Sequence, residues 1–110
     1  MTYVIISITM TTIKNKAKLL LDDKYNVGSN ICEMIIWDLS KKTLDRPHGF
    51  KYRLYYGDKD GNCLLRYDNE HSKGDHIHYG KREQKYVFVS IEQLIADFYN
   101  DIDKINKNFK

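Results

Sequence analysis

The sequence predicts an α+β domain, an antiparallel β-sheet with one C-terminal α-helix packed on one face. Three observations predict it. Apolar, β-branched and aromatic residues gather in short runs, and the chain uses nine tyrosines and a single proline, a composition that suits a pleated sheet. Two connections carry hairpin residues, the Asn and Gly of Tyr25-Asn26-Val27-Gly28-Ser29-Asn30 and the Asp60-Gly61 dipeptide. A helical spacing of apolar residues occurs in the C-terminal segment.

The elements follow in order. The β-branched stretch at residues 3–10 reads either as an upstream extension, with the functional chain starting at Met10, or as an extra edge strand; residues 1–15 are set apart on that ground. Ala17-Lys18-Leu19-Leu20-Leu21 suits a first strand and Ile31 to Leu39 a second. Residues 40–49, with Arg46-Pro47-His48-Gly49, form a loop in which His48 is most simply exposed, the alternative being that the loop folds over a site. In the next strand Phe50, Tyr52, Leu54 and Tyr56 share one face, and Lys51, Arg53 and Tyr55 the other. Cys63 to Tyr67 returns, and Tyr86-Val87-Phe88-Val89 is the last strand. Ser90-Ile91-Glu92-Gln93 then predicts a capping box, with Val89 and Leu94 as a hydrophobic staple. Leu94, Ile95, Phe98, Ile102 and Ile105 form the buried stripe of the helix. Residues 16–107 make one domain and residues 108–110 a frayed tail.

Composition narrows the classes. At 110 residues, with 42% hydrophobic and 30% charged residues, the chain buries a core without staples. A net charge of +3 asks for no nucleic-acid partner by itself. Cys32 and Cys63 have no zinc spacing and read as reduced sheet residues. No stretch is long or apolar enough to span a membrane, and no secretory signal is evident, so the cytosol is the expected location.

Chemistry concentrates in the polar run from Arg66 to Arg82, which holds three of the four histidines. Three readings compete. In metal-independent RNA cleavage, histidines supply base and acid near neutral pH. His71, His76 and His78 are candidates, Glu70 or Asp75 serves as base or orients a histidine, and Arg66, Lys73, Lys81 and Arg82 bind phosphate. Tyr67 and Tyr79 stack on bases. In a metal site, His76 and His78 lie on one side of an extended segment and Asp68, His71 or Asp75 completes the shell. In a structural loop, Asp68-Asn69 makes Asx-turns and Gly74 and Gly80 permit tight bends.

The blocks Arg66-Tyr67-Asp68-Asn69-Glu70, Lys73-Gly74-Asp75-His76-Ile77-His78-Tyr79-Gly80, Arg82-Glu83 and Val89 to Phe98 resemble the TumE-type toxins of prokaryotic type II toxin–antitoxin systems. The likeness covers roughly residues 17–105. Asp68, Asn69, Glu70, Lys73, Gly74, Asp75, His76, His78 and Arg82 carry over to the shared motif. Ser72 and Ile77 stand where family members carry Arg or Lys or vary, and the residues before Met10 depart from the pattern. The resemblance implies a growth-blocking toxin, thought to cleave RNA, encoded beside a helix-turn-helix antitoxin.

The expectation is therefore a toxin acting on RNA, with His76 and His78 as the proton-transfer pair and Asp75 as orienter. Arg66, Lys73 and Arg82 are its phosphate binders. No cofactor is expected, and a divalent metal on His76, His78 and Asp68 is the alternative. A homodimer is left open. The competing class is a non-catalytic module that docks nucleic acid or protein through the loop.

Overall fold

A computed structural model of the chain describes residues 17–70 and 73–108. The extension read at residues 1–15, His71 and the last two residues of the chain lie outside the described residues. Strands β1 (Lys18–Val27), β2 (Asn30–Asp38), β3 (Phe50–Gly57), β4 (Cys63–Asp68), β5 (His76–Tyr79) and β6 (Arg82–Lys85) precede helix α1 (Ile91–Asn108). The described strands form one antiparallel sheet in sequence order.

Period-two alternation divides that sheet into two faces. Cys32, Met34 and Ile36 of β2, Tyr52, Leu54 and Tyr56 of β3, Leu65 and Tyr67 of β4 and Ile77 of β5 are buried beneath α1. The helix answers with Leu94, Phe98 and Ile102, all buried, and with Ile91, Ile95 and Ile105 partly so. Fully burying a side chain such as Phe98 contributes about 1.5–3 kcal/mol. Among the described residues, no helix lies over the opposite face.

Tight turns hold the register. Gly28 (φ 62°) and Gly80 (φ 60°) each occupy the first position of a two-residue hairpin, where a positive φ is required. Between β3 and β4 the Asp58 carboxylate accepts from the Asp60 and Asn62 backbone N–H groups and from the Asn62 side chain. These bonds favour its charged form and lower its pKa.

Two expectations are corrected. The polar run is not one loop, because its second half pairs as the β5–β6 hairpin. The last strand is Arg82–Lys85 rather than Tyr86 to Val89, which is a connector lying across the helix-covered face. Tyr86 packs on Tyr67 of β4 and Phe88 on Tyr52 of β3, at 5.1 and 6.1 Å between ring centroids. Val87 and Val89 are 81% and 71% exposed, so alternation is kept while the sheet ladder is left behind.

The helix cap is half as expected. Ser90 Oγ accepts from the Gln93 N–H at 3.1 Å, but the Gln93 side chain donates to Asp97 instead of reaching back. Exposed Val89 cannot staple buried Leu94, since Phe88 takes the inward position before the helix. The helix runs through Asn108, into the segment read as tail.

Candidate functional site

Cross-strand pairing builds the site on the open sheet face. One row across the sheet is Lys24, Glu33, Tyr55, Arg66, His78 and Glu83; the next is Asp22, Ile35, Arg53, Asp68, His76 and Lys85. Directly paired residues share a face and sit within side-chain reach. The two rows therefore bring Arg53, Arg66, Asp68, His76 and His78 together from three strands. With Glu70 and Lys73 they line a pocket of about 220 Å³.

Within it, the His76 and His78 rings lie edge to face with centroids 4.8 Å apart. His76 Nδ1 is 2.8 Å from the Gly74 carbonyl oxygen and Nε2 is 2.8 Å from Asp68 Oδ1. Both partners are acceptors. The ring is satisfied when both nitrogens carry protons, or when a cation takes the place of the Nε2 proton. His78 Nε2 stands 3.2 Å from Glu83 Oε2 but off line, so this buried nitrogen has no hydrogen-bond partner among the described residues. Burial, and next the positive charge of Arg66, lower the His78 pKa below the usual imidazole value. Arg66 Nε is close to Asp68 Oδ2 at 2.6 Å, an ion pair that is likewise misaligned as a hydrogen bond. Glu83 also pairs with Lys73 at 3.6 Å.

A neutral-leaning imidazole beside one held between two acceptors, with guanidinium groups alongside, can move protons at an anionic substrate. Asp68, His76 and His78 can alternatively hold a metal ion, since one ligand atom from each lies within 4.8 Å of the others.

Several sequence expectations meet a different geometry. The Asp75 carboxylate faces away from the His76 and His78 rings. It accepts from His48 Nε2 at 2.9 Å and from the Tyr52 hydroxyl at 2.6 Å on the helix-covered side, and Asp68 holds His76 instead. Tyr67 and Tyr79 cannot serve as the base platform for this pocket, because both point to the helix and donate to Asp101. Burial and that carboxylate raise the Tyr79 pKa to about 12. Arg82 pairs with Tyr79 and stacks over its ring at 5.2 Å, away from the histidines. Lys81 sits in the exposed turn. Asp68 ends β4 inside the cluster. Asn69 is fully buried, accepting from the Tyr52 N–H and donating to the Phe50 carbonyl. Gly74 (φ 75°) and Gly80 do make the bends.

Sequence reasoning missed Arg53, Glu83 and His48 as partners. Arg53 had a signal, its outward position beside Tyr55, and Glu83 stood in the shared motif. His48 had none. Its ring is mostly buried, 4.0 Å from Phe88, and its Nδ1 accepts from the Phe50 N–H. The loop at residues 40–49 is thereby pinned to the start of β5.

The fold and the pocket define a small α+β protein with a His–Asp–Arg cluster on the sheet face away from the helix. The family model described as Toxin TumE matches residues 7–106, and the chain belongs to this toxin family. No curated protein and no solved structure matches the chain. Among the described residues, no helix is long and apolar enough to cross a membrane.

Proposed function

We propose that this toxin cleaves RNA through the open-face cluster and is neutralised by a cognate helix-turn-helix antitoxin. His78 takes the proton of a ribose 2′-hydroxyl, whose oxygen attacks the adjacent phosphorus. His76 protonates the departing 5′-oxygen, leaving a 2′,3′-cyclic phosphate and a 5′-hydroxyl. Arg66, Arg53 and Lys73 balance the charge that builds on the phosphate. Asp68 and the Gly74 carbonyl hold the His76 ring in place.

One observation carries the reading: two adjacent imidazoles with unlike surroundings, one between two acceptors and one beside Arg66 and Glu83 with no aligned hydrogen-bond partner among the described residues. Two imidazoles in unlike surroundings suit a division of labour between an acid and a base.

A second reading is favoured by the Asp68, His76 and His78 grouping, which would make cleavage metal-dependent. Incubating purified protein with mixed cellular RNA, with and without EDTA, separates the two. Cleavage that survives chelation supports proton transfer, and cleavage abolished by chelation hands the site to a metal. No cleavage of any RNA sinks both. His76→Ala and His78→Ala are each expected to abolish toxicity while His78→Ala leaves the thermal melt nearly unchanged; toxicity retained in both overturns the assignment.

A further inference from the structure

The cluster as described lacks a surface for a nucleobase, since Tyr67 and Tyr79 point away from it. We propose that Tyr55, with Arg53 stacked on it, is the nucleobase platform of this site. The inference rests on the reading of the cluster as an RNA site.

Register carries the argument. Tyr55 pairs with Arg66, and Arg66 pairs with His78, so the three form one line across β3, β4 and β5 on the open face. Two strand spacings separate Tyr55 from His78, roughly 10 Å. That is about the reach of a nucleotide from a bound base to a neighbouring phosphodiester. A phosphate on Arg66, against His78, leaves its base over Tyr55. The ring is also prepared for stacking. Arg53 Cζ lies 4.9 Å from its centroid, and a base extends this stack or displaces the guanidinium toward the phosphate. Gly57 lets the ring lie close to the strand, because a Cβ there would stand 2.2 Å from the Tyr55 hydroxyl oxygen. The atom in the way is the far end of a side chain, so Gly57→Ala swings the ring aside rather than disrupting the backbone.

The probe is a short mixed-sequence single-stranded RNA, its binding measured by fluorescence anisotropy in a His78→Ala background that removes cleavage. Tyr55→Ala is expected to weaken binding about 5- to 150-fold, the range for one lost base stack, while Tyr55→Phe keeps parental affinity. Gly57→Ala is expected to weaken binding with the tyrosine still present, and it serves if Tyr55→Ala fails to fold. The same RNA carrying 5-iodouridine is expected to photocrosslink to Tyr55. Parental affinity in both Tyr55→Ala and Gly57→Ala overturns the platform. A parent that binds RNA but never cleaves it, with the Tyr55 dependence intact, sustains the platform and removes the proposed chemistry. A parent that binds no RNA removes both.

Discussion

His78 has no aligned hydrogen-bond partner among the described residues, whereas His76 sits between two acceptors. Desolvation and Arg66 both disfavour the charged His78 ring, so it remains neutral at a lower pH than a free imidazole. The consequence for stability has a definite sign. Below the usual imidazole pKa the unfolded chain binds the proton more readily than the native one. The contribution of this ring is therefore present above that value and is lost as pH falls through the window beneath it. For activity, the acid limb of the pH–rate profile is expected below the ordinary imidazole range. Arg66→Gln removes the cation, allows the His78 pKa to rise, and should move that limb to higher pH while also lowering the rate. Measuring kcat/KM against pH tests this, and a limb that stays in place would show that Arg66 does not tune His78.

Among the elements, β4 does the most to build the site. Leu65 and Tyr67 face the helix, Arg66 and Asp68 face the pocket, and Asn69 ties the strand end to β3. With both its side-chain groups bonded to the β3 backbone, Asn69→Ala leaves the Tyr52 N–H and the Phe50 carbonyl without these partners. It should cost about 1–3 kcal/mol, read as a lower denaturation midpoint with an unchanged slope. If the cost falls near zero, Asn69 is not the pin that its geometry describes. The sequence showed β4 and its apolar pattern clearly, and it missed β5–β6 as a hairpin because both strands are short and polar. Such strands carry no hydrophobic signal of their own. They are held by pairing with a neighbour, a long-range condition that propensity does not report.

Across the whole molecule the two sheet faces have separate duties. The covered face joins aromatic rings to carboxylates: Tyr52 to Asp75, Tyr67 and Tyr79 to Asp101, and Tyr86 to Asp97. Tyrosine thus supplies core volume and a polar handle together. Phe98 is wholly buried, with Tyr67 against it edge to face. Phe98→Ala should destabilise the fold by about 3–5 kcal/mol, detected as a large fall in melting temperature. Any activity left in the folded fraction should keep the parental pH profile, since the ring does not touch the pocket. A changed profile would mean that the faces are coupled.

Sequence alone was enough for the helix stripe, the apolar run of β2, the alternation of β3, the hairpin glycines and the family motif. Each is a local pattern, written in residues a few positions apart. It also drew the eye to His76 and His78, because titrating groups crowd there. Only the tertiary structure decided which neighbours those histidines have. Asp75 adjoins His76 in the chain yet turns to His48 and Tyr52 on the other face. Arg53 and Tyr55, distant in sequence, join the cluster through two strand pairings. Successive strand residues point to opposite faces, while register places distant residues side by side. Composition of the run therefore nominated the chemistry, and the register of β3, β4 and β5 selected the members of the site.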